Sequence, residues 1–368
     1  MKTMRAARLH AIGEPMTIDV IERPTPRPTD VLVRVEACGI VPNMANVINN
    51  WPTWFPHQPL PAFPAIFGLD ATGVVEEVGE AVFGTRPGDR VYVNPLRACG
   101  SCYACRGGDL SRCRYFTLNG YFSTARDGQK IFDLYPYGGF AEFMTAPQQS
   151  LVKLPDNMSF EQAGRMGYIG TSYGALRLAG AGPGMTALID GITGTLGVAT
   201  TKLCLALGVA RILGTGRNQE LLERVKSIAP DRIEVLRLGE KSSGEWARTL
   251  TDGEGADFVV SALGARAPVE TMLDSIQGVR RGGKVVNVGG VSEAVRIDMK
   301  WLMDEQVQII GSNWFTTAQG QEIVHMVETG ALDVSYLEHV PFPLDEVNHA
   351  VSGLDNRHGG FSNYLVIP

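Results

Sequence analysis

The stretch that decides the fold runs from Thr186 to Arg217 and reads TALIDGITGTLGVATTKLCLALGVARILGTGR. Two short apolar runs enclose three glycines and an apolar-periodic segment, which predicts a strand, a glycine turn, a helix and a second strand. Glycines let such a turn bend tightly and let a pyrophosphate approach the backbone at the helix N-terminus. The stretch therefore predicts a dinucleotide site, and a purely structural glycine turn is the alternative. The candidate cofactor-binding residues of the turn are Gly191, Thr193, Gly194, Thr195 and Gly197.

Length and composition bound the kind of protein to which such a site belongs. At 368 residues the chain is long enough for two domains. A hydrophobic fraction of 44% and a charged fraction of 20% are typical of a water-soluble globular protein. The net charge of −6 gives no electrostatic reason to expect a nucleic-acid or membrane partner, and residues 1–24 lack the apolar core of a signal peptide. We therefore expect a cytoplasmic protein that acts on a small molecule.

Four of the six cysteines lie close together and read CGSCYAC followed, after seven intervening residues, by C. In a reducing compartment this cluster is better explained as four thiolate ligands of one tetrahedral zinc ion than as disulfides. Four protein ligands leave no position for water or substrate, so the predicted zinc is structural. A metal-free or oxidised lobe is the alternative. The predicted ligands are Cys99, Cys102, Cys105 and Cys113.

Two kinds of pattern follow one another along the chain. Short apolar segments separated by Pro and Gly, such as Val31–Ala37, predict a mostly β N-terminal part. From about Leu154, strand and helix patterns alternate, which predicts a parallel, doubly wound α/β sheet. The segment from Trp51 to Pro64 is rich in proline and aromatic residues, and we expect a stiff, irregular loop there. This loop either walls a substrate pocket, through Trp51 and Trp54, or covers a domain edge.

Motifs outside the glycine turn and the cysteine cluster connect the chain to a known family. They are Ala37-Cys38-Gly39-Ile40, Gly68-x-Asp70-Ala71-Thr72-Gly73-Val74-Val75, Pro87-Gly88-Asp89-Arg90-Val91 and Asp257-Phe258-Val259-Val260. With them, essentially the whole chain resembles the zinc-type alcohol dehydrogenases of the medium-chain dehydrogenase/reductase superfamily. The resemblance implies a Rossmann domain (155–311) that interrupts a GroES-like catalytic domain (1–154 and 312–368) with its zinc lobe at 95–115. It also implies a homodimer or homotetramer, with an isologous interface through the strand around 308–313.

The chain departs from this family at the catalytic zinc. The resemblance places the three ligand positions of that metal at Val41, Leu69 and Gly167, and none of these residues can bind a metal. We therefore expect one zinc per subunit, the structural one, and a substrate pocket lined by these three residues. A relocated metal site is the alternative, and its candidate ligands are Asp70, His57 and Cys38.

Without a catalytic metal, a side chain has to supply or take the proton of the reaction. The family's proton-relay positions correspond to Asn43 and Asn46, which are neither acids nor bases near neutral pH but can orient a substrate. Tyr168 and Asp70 are the leading proton donors by position; alternatively, Tyr168 only lines the pocket and Asp70 is a hydrogen-bonded structural acid. His57 is a third candidate, although its proline-rich loop favours a surface position.

The end of the second strand of the dinucleotide unit distinguishes NAD from NADP. Enzymes that use NAD carry an acid there, whereas this chain has Gly216, Arg217 and Asn218. Loss of a carboxylate and gain of a guanidinium favour a 2′-phosphate, so NADP(H) is the predicted cofactor. A solvated Arg217 at a helix start is the alternative. The resemblance adds Thr171 beside the nicotinamide and Leu196 behind its ring.

Together these patterns predict an NADP(H)-dependent oxidoreductase without a catalytic zinc. It would transfer hydride to an activated C=C, C=N or C=O bond of an apolar or aromatic small molecule. Two alternatives remain open: an alcohol or aldehyde dehydrogenase that uses a side-chain base or a relocated metal, and an NADP-binding protein that has lost catalysis.

Overall fold

A computed structural model describes residues 2–291 and 293–368, with every side chain in these ranges except that of Asp355. As the sequence predicts, the N-terminal part is built mainly from short strands. Its elements are β1 (Thr3–Leu9), β2 (Thr17–Glu22), β3 (Asp30–Gly39), α1 (Met44–Trp54), β4 (Ala65–Ile66), β5 (Asp70–Val78), β6 (Arg90–Val93), β7 (Leu96–Arg97), α2 (Tyr103–Arg106), β8 (Thr117–Leu118), α3 (Gln129–Leu134), β9 (Phe143–Pro147) and β10 (Leu151–Lys153).

Helices and strands then alternate, and the strands form a parallel sheet in the order β13-β12-β11-β14-β15-β16. The elements are α4 (Phe160–Ala163), α5 (Met166–Ala179), β11 (Thr186–Asp190), α6 (Thr195–Ala206), β12 (Arg211–Gly216), α7 (Gln219–Lys226), β13 (Ile233–Arg237), α8 (Ser243–Thr249), β14 (Ala256–Ser261), α9 (Val269–Ile276), β15 (Val279–Asn287), α10 (Met299–Asp304) and β16 (Gln308–Gly311). The strand order reverses between β11 and β14, and open sheets of this kind bind ligands at such a switch point. The predicted Rossmann-type sheet is confirmed.

The end of the chain returns to the β-rich part. Its elements are α11 (Thr317–Glu328), β17 (Glu338–Pro343), α12 (Val347–Ser352) and β18 (Ser362–Ile367). Strand β18 pairs antiparallel with β3 and parallel with β17, which gives a sheet in the order β10-β6-β5-β3-β18-β17, with β9 also paired to β3. Strands from both ends of the chain therefore share one sheet.

Alternating residues of the parallel strands pack on opposite faces of the sheet. In β11, Ala187 and Ile189 belong to one buried apolar cluster and Leu188 belongs to another, and Val286 and Val285 of β15 divide in the same way. Such two-sided burial is what helices on both faces of a doubly wound sheet produce. No helix in the described ranges is both long and apolar enough to span a membrane.

The expectation of an irregular segment from Trp51 to Pro64 is wrong for its first residues. Helix α1 continues through Pro52 and ends at Trp54. Pro52 has no N–H to donate, so α1 lacks one backbone hydrogen bond near its C-terminal end and carries the cost of a proline inside a helix. The buried face of α1, which includes Val47 and Trp51, holds it against the core. Residues 55–64 contain turns and bends but no helix or strand.

Candidate active site

The glycine turn follows the carboxyl end of β11, which is an interior strand of the parallel sheet. Gly191 has a φ of +68°, a left-handed conformation that favours glycine. A Cβ on Gly197 would lie 2.3 Å from the carbonyl oxygen of Gly191, so α6 packs this closely only with glycine there. Helix α6 begins at Thr195 without a side-chain cap, which leaves its first N–H groups available to a phosphate. The geometry fits the pyrophosphate of a dinucleotide.

The loop before β18 lies directly against this turn, although no local sequence motif marks it. The N–H of Gly360 donates to the carbonyl oxygen of Thr193 at 2.8 Å. A Cβ on Gly360 would lie 2.4 Å from the carbonyl oxygen of Gly194. The adjacent glycines near the end of the chain were the available signal, but nothing local connects them to a turn some 165 residues earlier.

Asp190, the last residue of β11, is a second feature that no local sequence motif marks. Its buried carboxyl group accepts hydrogen bonds from the Thr215 hydroxyl at 3.2 Å and from the Ser275 hydroxyl. Burial raises the pKa of Asp190 to about 7, and the two hydroxyl groups act in the opposite direction. Asp190 thereby ties β11 to β12 and α9 directly beneath the glycine turn.

The end of β12 is tightly packed and flanked by exposed arginines. A Cβ on Gly216 would lie 3.0 Å from Cδ2 of Leu222, so an acidic side chain would require a shift there. Arg217 is exposed, and so is Arg237, which stands opposite Gly216 on β13. Asn218 caps helix α7, with its side-chain oxygen accepting a backbone N–H three residues later.

The four predicted zinc ligands converge, as expected. Their sulfur atoms all lie within 4.8 Å of one another. The Cys102–Cys105, Cys102–Cys113 and Cys99–Cys113 sulfur pairs are 3.6, 3.9 and 3.7 Å apart. Zinc–sulfur bonds of about 2.3 Å in a tetrahedron place sulfurs roughly 3.8 Å apart. The residues therefore fit one structural zinc, which would fix the lobe between β7 and β8.

The three positions expected for a catalytic metal do not fit one. A Cβ on Gly167 would lie 2.3 Å from Oδ1 of Asp70 and 2.6 Å from its Oδ2, so the carboxyl group occupies the space that a ligand side chain would need. Val41 and Leu69 are 1% and 3% exposed and lie in the buried apolar cluster of the β-rich part. Within residues 2–291 and 293–368, the cysteine cluster is the one group of three or more potential ligands that converges.

Asp70 is fully buried at the start of β5. The Tyr92 hydroxyl donates to its Oδ1 at 2.9 Å, and its Oδ2 has no hydrogen-bond partner among the described residues. Burial raises the pKa of Asp70 to about 7, while the Tyr92 hydroxyl, the charge of Arg165 and the Gly167 amide lower it. Asp70 therefore titrates near neutral pH, but it exposes no surface from which to pass a proton to a substrate.

Tyr168, the other leading donor, is partly exposed and follows Gly167 on α5. Burial raises the pKa of Tyr168 to about 12; the charges of Arg165 and Arg357 lower it, and that of Asp70 raises it. Of the two leading candidates, Tyr168 is the one with an exposed fraction. A phenol of this pKa is protonated at neutral pH and is able to donate to an oxyanion.

Tyr121, which no local sequence motif marks, lies near Tyr168. It is 6% exposed and belongs to the apolar cluster against which Tyr168 packs. Burial raises the pKa of Tyr121, as does its proximity to Tyr168, and a hydrogen bond with Asn43 lowers it. Asn46 donates to the side-chain oxygen of Asn43 at 3.0 Å. The two asparagines and the two phenols thus lie in one region at the start of α1.

Helix α5 links this region to the glycine turn. The Thr171 hydroxyl donates to the carbonyl oxygen of Gly167 at 2.7 Å. One residue further, the Ser172 hydroxyl donates to the carbonyl oxygen of Leu196 on α6 at 3.1 Å. The residue expected beside the nicotinamide is therefore one helical turn from Gly167.

The remaining candidates, from the proline-rich segment, do not lie together in the structure. Trp51 is 8% exposed and stacks on Phe122 with ring centres 4.0 Å apart. Trp54 is 49% exposed and His57 is also exposed, so both lie at the surface. Trp51 therefore packs with Phe122 beside Tyr121, whereas the exposed side chains of Trp54 and His57 lie outside the buried region around Asp70.

Comparisons with known proteins agree with this architecture. The family model of the alcohol dehydrogenase GroES-like domain matches residues 27–156, and that of the zinc-binding dehydrogenases matches residues 195–329. An alcohol dehydrogenase of Geobacillus stearothermophilus is 31% identical over 344 residues, which cover 92% of this chain and 94% of the relative.

Two further relatives extend the likeness. An NAD-dependent alcohol dehydrogenase of Sulfurisphaera tokodaii is 27% identical over 359 residues, covering 96% of this chain and 97% of the relative. The crystal structure of AibC aligns with a TM-score of 0.83 at 26% identity, covering 100% of this chain and 96% of that one. With its Rossmann sheet, its β-rich partner and its cysteine cluster, the chain belongs to the zinc-type alcohol dehydrogenase-like oxidoreductases of the medium-chain dehydrogenase/reductase superfamily.

Proposed function

We propose that this oxidoreductase uses NADP(H), works without a catalytic zinc and reduces an activated C=C, C=N or C=O bond of an apolar or aromatic small molecule. The contact between Gly167 and Asp70 carries the proposal. A metal ligand at position 167 would collide with the Asp70 carboxyl group, and the other two positions hold apolar side chains. Three losses at once leave too few ligands for a catalytic zinc site.

The chain's own residues then have to orient the substrate and deliver a proton. A bound NADPH would supply the hydride. Tyr168 is the proposed proton donor, because it combines partial exposure with a position beside Gly167. Asn43, linked to Asn46 and Tyr121, offers amide hydrogen bonds that orient the substrate. Apolar side chains such as Val41 exclude water from the reacting bond.

The preference for NADP(H) rests on charge at the end of β12. Arg217 and Arg237 are exposed, and neither forms an ion pair within the described ranges. A 2′-phosphate there would meet positive charge and, at position 216, no acidic side chain. The Sulfurisphaera tokodaii relative is named as NAD-dependent, so the preference needs a direct test.

Arg217→Gln should weaken NADPH binding about tenfold or more and change NADH binding less than twofold, since a charge-assisted phosphate contact is worth about 1.5–3 kcal/mol and each 1.4 kcal/mol is a factor of about ten. Quenching of intrinsic tryptophan fluorescence measures both affinities without turnover. The control is Arg86→Gln, whose side chain is 88% exposed in another part of the protein. Equal losses for both nucleotides would contradict the assignment to the 2′-phosphate.

Metal analysis combined with a substrate panel tests the function itself. We expect one zinc per subunit, and NADPH-dependent reduction of enones, imines or activated carbonyls that chelators do not inhibit while the fold is intact. Two zinc ions per subunit would contradict the proposal. The second candidate function, an alcohol or aldehyde dehydrogenase, is favoured by the name of the Geobacillus stearothermophilus relative. Oxidation of simple alcohols with NADP⁺ at comparable rates would support it.

We propose that the protein forms a homo-oligomer through the edge of its parallel sheet and that it is cytoplasmic. Strand β16 lies at the edge of the parallel sheet, and Met299 and Met303 on the preceding helix are each 68% exposed. An unpaired edge with apolar neighbours suits a second copy of the chain, and light scattering tests the expected homodimer or homotetramer. Thiolate ligands suit a reducing, cytoplasmic compartment.

A further inference from the structure

A buried guanidinium group lies close to Tyr168. Arg165 is 2% exposed, and its guanidinium carbon lies 5.7 Å from the centre of the Tyr168 ring. Its two terminal nitrogens donate to the carbonyl oxygens of Ile40 at 3.4 Å and Ser362 at 3.2 Å, while its Nε has no partner in the described ranges. No described carboxylate contacts it. Since a cation without a contacting anion keeps its field in a low-dielectric interior, this charge acts on its surroundings.

Arg357 brings a second positive charge from the loop that contacts the glycine turn. One of its terminal nitrogens donates to the carbonyl oxygen of Leu354 at 2.9 Å, and its Nε has no partner among the described residues. Burial lowers the pKa of Arg165; the nearby Asp70, Tyr168 and Tyr336 raise it, and the charge of Arg357 lowers it. Because the two like charges oppose each other, a negative charge that arrives beside them would be stabilised.

Negative charge near Tyr168 is weaker than this positive charge. Among the described groups, the carboxyl group that acts on Tyr168 is Asp70. Since burial raises the pKa of Asp70 to about 7, it is only partly ionised at neutral pH. Burial also raises the pKa values of the neighbouring titratable groups, which are therefore uncharged there: Tyr121, Tyr336, Tyr92 and Cys38. The region around Tyr168 is thus net positive.

We propose that this positive charge makes the site selective for neutral carbonyl substrates, conjugated or not, over cationic iminium substrates, an inference that rests on the proposed function. Reduction of a carbonyl or an enone moves an electron pair onto oxygen, whereas reduction of an iminium ion removes a positive charge. Donors and cations aimed at a developing oxyanion stabilise that transition state. The same cations repel an iminium ion before and during the reaction.

A bound NADPH would supply the hydride and become NADP⁺, so that a C–H bond would form at the carbonyl carbon or at the β carbon of an enone while the π electrons move to the carbonyl oxygen. The proton of the Tyr168 hydroxyl transfers to that oxygen, and water reprotonates the phenolate. An enol formed from an enone then returns to its ketone. Arg165 acts through Tyr168 and is a positioning residue.

The ionisation of bound 4-nitrophenol tests the charge of the site without turnover, because its ionised form absorbs at longer wavelength. In the zinc-loaded protein, with and without NADP⁺, we expect the pKa of the bound phenol to fall by about one unit or more below its value in water. Arg165→Gln and Arg357→Gln should each remove at least half of this shift. Arg165→Lys should retain it, and so should the exposed control Arg86→Gln.

Competing substrates of matched shape test the selectivity. With NADPH, kcat/KM for α-tetralone or 2-cyclohexenone should exceed that for N-methyl-3,4-dihydroisoquinolinium by at least about tenfold. Arg165→Gln should lower kcat for the carbonyl compounds about tenfold at unchanged KM for NADPH, and Arg165→Lys should restore much of it. An unshifted phenol pKa in the natural protein, or faster reduction of the iminium ion, overturns the inference. A shifted phenol pKa without turnover of any compound supports the charge of the site and refutes the reductase function instead.

Discussion

Replacing Asp70 by Asn should flatten the dependence of stability on pH. The carboxyl group is fully buried, and burial raises its pKa to about 7 in the folded protein, against about 3.9 in an unfolded chain. Between these values the folded state holds a proton that the unfolded state has lost. Stability that Asp70 contributes below pH 4 is therefore lost as the pH rises, and the loss is complete just above pH 7.

The size of this change in the free energy of unfolding follows from the difference of about three pKa units between the folded and unfolded states. At about 1.4 kcal/mol per unit, the free energy of unfolding of the natural protein falls by about 4 kcal/mol between pH 4 and pH 7 through this group. The Asp70→Asn variant has no such loss. Its side-chain amide oxygen still accepts from Tyr92, and any cost of burying the amide is independent of pH. The difference in stability between variant and natural protein should thus rise by up to about 1.4 kcal/mol per pH unit and level off above pH 7.

Unfolding in guanidinium chloride at pH 5, 6, 7 and 8 measures this difference. Asp190, whose pKa burial also raises to about 7, is present in both proteins, so its contribution cancels. The exposed Asp156→Asn variant serves as the control and should show a constant difference. The reasoning is refuted if the difference in free energy of unfolding between Asp70→Asn and the natural protein does not change with pH. It is also refuted if the natural protein becomes more stable relative to the variant as the pH rises, because Asp70 is then ionised in the folded protein.

Three further outcomes are expected. Gly167→Cys should lower the free energy of unfolding by about 1–3 kcal/mol, because its Cβ would overlap the Asp70 carboxyl group; metal analysis should still give one zinc per subunit, and a second zinc would contradict this. Cys102→Ser should release the structural zinc and make the lobe sensitive to proteases, so full zinc retention would count against the site. Gly360→Ala should weaken NADPH and NADH binding equally, since its methyl group would lie 2.4 Å from the carbonyl oxygen of Gly194; a loss confined to one nucleotide would argue against a shared pyrophosphate site.

Features whose chemistry depends on local spacing could be predicted from the sequence. The glycine turn is one, because its close contacts join residues only six apart, such as Gly191 and Gly197. The cysteine cluster is another, since Cys99 to Cys113 form one continuous lobe. The alternation of strands and helices likewise predicted the parallel sheet, because each βα unit buries its apolar face against its neighbours.

Features that depend on contacts between distant segments could not be predicted. From the sequence, Asp70 is a candidate proton donor; only the tertiary structure shows that Tyr92 and the backbone of Gly167 enclose it. Tyr121 lies in a stretch without a recognisable motif, and only the tertiary structure brings it to Asn43. The continuation of α1 through Pro52 was missed because burial of one helix face outweighed the local cost of proline.

The pairing of β18 with β3 has a consequence for synthesis on the ribosome. Leu365 pairs with Gly39, so an early strand waits for nearly the last residues of the chain before its sheet is complete. The parallel sheet, by contrast, uses one continuous segment and is able to form while translation continues. The part that is made first is then the part that finishes folding last. Until β18 is made, Cys38 and Gly39 at the end of β3 lack their partners on that strand, and this short stretch stays open to pairing with other chains, whereas residues 30–34 already have β9 as a partner.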